Sequence, residues 1–519
     1  MPTMEDARQA LSRYFGYGSF RPGQAEVISS ILDGRDSLAV MPTGAGKSVC
    51  YQIPATLLGG LTLVVSPLIS LMGDQVRSLK EAGIRGSYLN STLNPRQQEI
   101  VMQRALDGWY DVMYVAPERL RDGRFLDFAS RASVPLVAVD EAHCVSQWGQ
   151  DFRPAYRGIA GFVDALPKRP VVAALTATAT ARVRADIVSL LGLRDPTVQV
   201  NGFDRPNLTL LSFELTPKAR ERWVVSYALS HRDQSGIVYA TTRKKVDALA
   251  DALRDAGVRA VAYHAGYDNQ SRSAAQEAFV RDDAQVMVAT NAFGMGIDKS
   301  DVRYVVNVGL PLSLEEYYQE AGRAGRDGEP AECFLLWSRG DIRTCHFLID
   351  NTEFPPETTR ADRERLLASR NALLSKMIGY AMSDTCLRRR VLTYFGQAVP
   401  PSDGGCGGCS VCRHLSPDDY LGAVRSRTTF GRGVRERELP SEAEVTDEDE
   451  RLFQRLRALR KSLADEAGVP PYVVFSDATL RAMVRRRPTT RDELLQVSGV
   501  GKTKLRRYGD EFLSELRGE

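Results

Sequence analysis

Ser37-Leu38-Ala39-Val40-Met41 runs directly into Pro42-Thr43-Gly44-Ala45-Gly46-Lys47-Ser48, and a helical pattern follows. A buried strand, a glycine-bearing loop ending in Lys-Ser and a helix, in that order, predict a phosphate loop in its required context. The glycines let backbone N–H groups curl around phosphate oxygens. Lys47 offers a point charge to the β- and γ-phosphates, and the Ser48 hydroxyl is a ligand for Mg²⁺. The helix N-terminus adds its partial positive charge. Thr43, Gly44, Ala45, Gly46, Lys47 and Ser48 are therefore the expected nucleotide cradle. The strict pattern has glycine at position 41, where this chain has Met41. A second candidate, Gly499-Val500-Gly501-Lys502-Thr503, follows a helical pattern (Arg491–Gln496) instead of a strand. It reads as a turn between two helices.

The strand at Ser37–Met41 belongs to a series. Leu61–Ser66, Asp111–Val115, Val134–Val139 and Val171–Leu175 are short, nearly unbroken apolar runs separated by amphipathic stretches. A second series comprises Gly236–Ala240, Arg259–His264, Gln285–Thr290, Tyr304–Val308 and Cys333–Leu336. Such runs suit strands buried on both faces of a parallel sheet. The expected fold is α/β: two tandem doubly wound domains with parallel sheets, then a helical, cysteine-bearing subdomain and a small all-α C-terminal domain. The expected boundaries are 1–205, 206–345, 346–415, a linker over 416–447, and 448–519. A chain of 519 residues accommodates roughly three to five domains.

Composition excludes more than it selects. With 43% hydrophobic and 26% charged residues, the chain is neither largely disordered nor a membrane bundle. The net charge of +3 says almost nothing about partners. Residues 53–73 carry no charge, but Gly59-Gly60 and Ser66-Pro67 interrupt them, so helix end, turn, strand and loop are expected in place of a membrane span. The polar N-terminus has no apolar core for export, which predicts a cytoplasmic protein.

Strand Val134–Val139 ends in Asp140-Glu141-Ala142-His143. Beside a phosphate loop, Asp140 is expected to hold Mg²⁺, through water, and Glu141 to polarise the attacking water. In the second domain, Arg323 and Arg326 stand three apart in Gln319-Glu320-Ala321-Gly322-Arg323-Ala324-Gly325-Arg326-Asp327-Gly328. They suit a γ-phosphate transition state approached from across a cleft, though two such arginines also suit a solvated helix face. Cys386, Cys406, Cys409 and Cys412 fall in one short region, and four thiolates suit a closed tetrahedral Zn²⁺ site. Free thiols or an iron–sulfur cluster are the alternatives.

At these motifs the sequence resembles the RecQ family of superfamily 2 DNA helicases, almost end to end. The most specific stretch is Cys144-Val145-Ser146-Gln147-Trp148-Gly149-Gln150-Asp151-Phe152-Arg153-Pro154. It is similar to the family's aromatic-rich loop, which couples single-stranded DNA binding to ATP hydrolysis. Trp148 and Phe152 offer faces for base stacking and Arg153 a charge for phosphate; burial of both rings in the core is the alternative. Gln150 stands where the family usually has histidine. Phe20-Arg21-Pro22-Gly23-Gln24 resembles the adenine-reading segment, which implies that Gln24 pairs with the base edge. Ser66–Met72, Leu175–Ala179, and Ala289-Thr290 with Phe293–Lys299 match further motifs in order, and Arg326 falls at the arginine-finger position. The four cysteines match the family's zinc subdomain, and the resemblance implies two tandem RecA-like domains followed by that helical zinc-binding subdomain.

The resemblance implies ATP, Mg²⁺ and Zn²⁺ as cofactors and 3′-to-5′ unwinding of DNA in repair and recombination. It also implies single-stranded and forked DNA as partners, possible contact with a single-strand-binding protein, no membrane, and a monomer. Many relatives place a winged helix after the zinc site. Here only 413–447 are available, and domains rarely fall below about 50 residues. That departure keeps a second function open, a DNA-stimulated translocase with little strand separation. An RNA helicase, or an ATP-gated DNA-binding protein without turnover, is a more distant alternative. The final block resembles the helical accessory domain shared by these helicases and ribonuclease D (HRDC-like), with Arg485–Arg487, Lys502, Lys504, Arg506 and Arg507 available to phosphate.

Overall fold

Val, Leu and Ala dominate the strands because small and β-branched side chains fill both faces of a sheet covered by helices. The structure, a computed structural model, describes residues 2–67, 69–149, 151–293, 299–354, 358–399, 405–421 and 447–518. The first sheet contains β1 (Ser37–Val40), β2 (Thr62–Val65), β3 (Gly86–Leu89), β4 (Val112–Val115), β5 (Leu136–Val139), β6 (Val171–Thr176) and β7 (Thr197–Val200). It is wholly parallel, in the order β3-β4-β2-β5-β6-β1-β7. The second contains β8 (Leu208–Glu214), β9 (Ser235–Ala240), β10 (Ala260–Tyr263), β11 (Val286–Ala289), β12 (Val302–Val308) and β13 (Ala331–Trp337). It is also wholly parallel, in the order β10-β11-β9-β12-β13-β8.

All ten expected strands are present. Three others, β3, β7 and β8, are not among the expected ones. β7 alternates exposed and half-buried residues at a sheet edge, so it lacks the continuous apolar run. β8 begins at Leu208, just after the boundary expected between 205 and 206.

Beyond the second sheet come the helices Arg339–Asp350, Arg360–Ala381 and Leu387–Tyr394, and then the cysteine-bearing loop. That loop adds itself to the free edge of β8: Leu210 N–H donates to Gly408 O at 3.0 Å and Ser410 N–H to Leu210 O at 3.0 Å.

Helices Asp447–Ala467, Pro471–Val474, Asp477–Arg486, Arg491–Leu495 and Lys502–Arg517 close around Leu456, Phe475, Met483, Leu494 and Phe512. The second Gly-Lys-Thr lies where the turn between the last two of these helices enters the final one, with a helix and not a strand before it. This C-terminal domain touches both halves of the motor. Arg460, fully buried, donates to Asp477 Oδ1 (2.8 Å) and Phe475 O (2.9 Å) within its own domain. It also donates to Asp301 Oδ2 (3.3 Å) at the start of β12. Lys299 pairs with the same Asp301 at 3.0 Å and with Asp282. On the other side, a Cβ at Gly501 would lie 3.7 Å from Gly16 Cα in the first domain.

Among the described residues no helix is long and apolar enough to cross a membrane. Residues 53–73 divide between the end of helix Val49–Leu57, β2 and the segments that follow. Leu68, Gln150, Gly294–Asp298, Gly404 and residues 422–446, most of the expected linker, lie outside the described residues.

Candidate nucleotide, DNA and zinc sites

The sheet order puts β6 between β1 and β5, so the loops at their carboxyl ends converge, as parallel α/β sheets require at a ligand site. After β1, Gly44 (φ 84°) and Gly46 (φ 78°) take left-handed conformations that L-residues resist, and the loop curls over the start of helix Val49–Leu57. Lys47 Nζ donates to Met41 O at 3.3 Å. Burial lowers the Lys47 pKa, against the opposing pull of the Glu141 and Asp140 carboxylates.

After β5, burial and then the neighbouring Glu141 charge push Asp140 up to about 7. Burial likewise raises Glu141. Glu141 adopts φ 47°, and its buried Oε2 has no hydrogen-bond donor, with His143 Nδ1 3.3 Å away. Burial takes His143 down to about 4, so the imidazole is neutral at pH 7. Two half-buried carboxylates of raised pKa, beside a glycine cradle and a lysine, form a cage short of positive charge. That cage fits a Mg²⁺–nucleotide complex.

Gln24 does not present a free amide edge. Its Nε2 donates to Ala45 O (3.2 Å) and Gly46 O (2.9 Å), and its Oε1 accepts from Arg21 N–H (2.9 Å). In this arrangement the Nε2 end of the amide braces the phosphate loop and the Oε1 end is held by its own segment.

The second domain meets this loop directly. A Cβ on Gly44 would lie 3.4 Å from Arg326 Cγ, and one on Gly322 would lie 3.4 Å from Thr43 Cβ. Arg323 is 5% exposed, and its buried Nε and Nη1 have no hydrogen-bond partner. A polar relay also crosses the cleft. His143 Nδ1 lies 2.9 Å from Thr176 Oγ1, Thr176 Oγ1 donates to Thr178 O at 3.1 Å, and Gln319 Nε2 donates to Thr178 Oγ1 at 3.1 Å. Sequence reading placed these residues in motifs but not in one chain of contacts.

The aromatic loop is half-buried. Arg182 covers one face of Trp148 with its guanidinium carbon 3.3 Å from the ring centroid, and Arg157 lies 5.1 Å from the Phe152 centroid. Arg153 is held by Asp151 (3.0 Å) and by Pro67 O (2.8 Å). Ser369, on helix Arg360–Ala381, donates to Gln147 O at 3.4 Å and ties the loop to the subdomain beyond the motor.

The Sγ atoms of Cys386, Cys406, Cys409 and Cys412 all lie within 4.8 Å of one another. A single tetrahedral ion with Zn–S near 2.3 Å fits that spacing. Backbone N–H groups of Arg389, Gly408 and Cys412 point at Cys386, Cys406 and Cys409 Sγ, each at 3.4 Å, and such donors stabilise thiolates. At Gly405 (φ 71°) a Cβ would come within 2.7 Å of Cys412 Sγ, so the chain passes where a side chain cannot.

Comparison with known proteins places four families along the chain in order. A DEAD/DEAH box helicase domain matches 21–187, a helicase conserved C-terminal domain 219–328, a RecQ zinc-binding domain 339–413 and an HRDC domain 449–516. The chain is 39% identical to the ATP-dependent DNA helicase RecQ of Bacillus subtilis (strain 168), with 98% of each chain covered. That alignment runs to 595 positions against 519 residues here, so the relative carries segments without a counterpart in this chain. It is 36% identical to the ATP-dependent DNA helicase RecQ of Pasteurella multocida (strain Pm70), over 100% of this chain and 94% of that one. Among solved structures, the DEAD-box helicase Mss116 bound to ssRNA and UDP-BeF has a TM-score of 0.57 at 16% identity. It covers 77% of this chain and 91% of its own, a likeness of fold. Four matching domains in order, and identity sustained along nearly all of two relatives, show that the chain belongs to the RecQ family of superfamily 2 helicases.

Proposed function

We propose that this chain is an ATP-dependent DNA helicase that moves 3′ to 5′ along one strand and separates duplexes. The observation that carries the reading is the approach of Arg326 to Gly44, which brings the backbone and side-chain stem of this arginine in one domain against the phosphate loop of the other. Lys47 and the N–H groups of Thr43–Ser48 bind the nucleotide phosphates, and Gln24 braces that loop. Ser48 and Asp140 would hold Mg²⁺, which when bound would neutralise charge on the phosphates. Glu141 orients and polarises the attacking water, and Arg323 and Arg326 stabilise charge on the transferring phosphoryl group. Because that group sits between two domains, hydrolysis is tied to their closure. Trp148, Phe152 and Arg153 read single-stranded DNA, and the relay through His143, Thr176 and Gln319 joins that loop's neighbourhood to the second domain.

The same reading divides the chain at 205, 345, 415 and 447, with a zinc subdomain that is structural. It includes action at forks in repair and recombination, as a monomer in the cytoplasm at the nucleoid, in contact with a single-strand-binding protein. Family membership is its support on those points.

Multiple-turnover ATPase with single-stranded DNA, beside unwinding of a fluorescent forked duplex, is the test. Turnover should be stimulated by DNA, unwinding should require a 3′ tail, and Lys47→Ala should abolish both. Retained ATPase in Lys47→Ala contradicts the site. DNA-stimulated turnover without strand separation identifies a translocase instead.

A further inference from the structure

The segment joining the two motor domains contains an arginine to which no role was assigned above. Arg205 is half-buried, and all five of its N–H donors have acceptors. Nε donates to Asn207 Oδ1 at 3.3 Å. Nη1 donates to Thr43 O at 3.1 Å and Gly322 O at 3.4 Å. Nη2 donates to Ala324 O at 3.0 Å and Gly325 O at 2.7 Å. One planar fork thus spans the phosphate loop and the turn immediately before Arg326. Asn207 reinforces that turn, with Nδ2 donating to Gly325 O and Glu329 O at 2.9 Å each.

The joint that carries Arg205 is itself gripped from the zinc subdomain. Arg388 donates to Asp204 Oδ1 (2.5 Å), Arg205 O (2.7 Å) and Leu208 O (2.5 Å). Phe395 stacks on Phe203 with centroids 4.5 Å apart and planes 16° apart. The fork therefore has a fixed base, and its reach is set on both sides of the cleft.

We propose that Arg205 is a positioning residue for ATP hydrolysis, setting the loop that carries Arg326 in register with the phosphate loop. Its targets are backbone carbonyls, which do not change in chemistry, so its contribution is distance. A lysine has one ammonium and cannot reproduce a fork across four carbonyls. The inference rests on Arg326 acting at the transition state.

DNA-stimulated ATPase is measured for Arg205→Ala, Arg205→Lys, Arg326→Ala and the double Arg205→Ala/Arg326→Ala, in full-length chain of native zinc content. Arg205→Ala should lower kcat by on the order of 10²-fold, as a misplaced catalytic group does, with the KM for ATP within about threefold of the parent. Arg205→Lys should not restore kcat. The double variant should be no slower than Arg326→Ala. Affinity for ADP with aluminium fluoride should fall in step with kcat while affinity for ADP alone is retained, a split that general destabilisation does not produce. If Arg326→Ala is slow but Arg205→Ala or Arg205→Lys turns over within about threefold of the parent, the proposal is overturned. The same holds if the double variant loses the product of the two single effects. If Arg326→Ala is itself unimpaired, the site assignment falls and this inference with it.

Discussion

Arg460→Met removes a guanidinium from a buried cluster of five charges: Arg460, Lys299, Asp282, Asp301 and Asp477. Arg460, Lys299 and Asp301 have fully buried side chains, so water cannot take over the lost partner. The substitution leaves Asp282 and Asp301 facing one lysine, and Asp477 with Arg457 at 3.9 Å. Breaking a buried pair in this way costs about 3–5 kcal/mol, mostly the penalty on the charges left behind. The bonds to Asp477 and Phe475 O lie inside the C-terminal domain; the bond to Asp301 crosses to the motor. A charged hydrogen bond of about 1.5–3 kcal/mol at the boundary corresponds to a roughly 10–150-fold shift toward the undocked domain. Hydrogen exchange on the full-length chain reads this directly. Amides of helix Asp447–Ala467 that face the motor should lose protection, while the domain core around Leu494 and Phe512 keeps more. Asp301→Asn should give a smaller loss of the same kind, and the two substitutions together should cost less than their sum. Unchanged exchange at the interface in Arg460→Met, with additive effects in the double variant, would refute this account of the docking.

Three further outcomes follow from the same geometry. Burial tends to raise the Asp301 pKa, but the Lys299 and Arg460 charges overcome it and hold the group below its ordinary 3.8. A depressed carboxylate stabilises above its unfolded pKa and loses that contribution as pH falls. Docking should therefore persist from neutrality to about pH 4 and fail below it, as small-angle scattering across pH 7 to 3 can follow; release above pH 5 contradicts it. Trp148→Ala should weaken single-stranded DNA binding by about 1–3 kcal/mol per stacked base and blunt ATPase stimulation more than basal turnover, measured by DNA titration. Full stimulation rules out stacking on Trp148. Denaturing release should yield one zinc per chain, and Cys409→Ser should lose it with a lower unfolding midpoint; a metal-free, fully folded parent chain contradicts the zinc reading.

Much of the motor was legible locally. A strand–loop–helix at Ser37–Ser48, an acidic pair ending an apolar run, and four clustered cysteines each carry their chemistry within a few residues. What escaped was pairing at long range. Arg205 sits in a segment whose sequence marks only a joint, and its partners at Thr43 and Gly325 lie more than a hundred positions away. Arg460 repeats the difficulty: on a helix rich in charge it reads as a solvated residue, yet it is fully buried against Asp301 of another domain. Arg182 over Trp148 is a third case, because a ring that seems free for stacking is capped by a helix more than thirty residues on. Periodicity likewise misses β7, whose Val198 and Val200 face outward at the sheet edge.

The cysteine loop lies along β8, one of the two edge strands of the second sheet, and satisfies both the N–H and the C=O of Leu210. An uncovered edge is a template on which another chain can add a strand. The metal site thus doubles as a guard on the sheet. When the ion leaves and the loop relaxes, the exposed hydrogen-bonding row is an invitation to self-association. Zinc-depleted protein should consequently be lost first to aggregation seeded at β8, while the two motor sheets themselves are still folded.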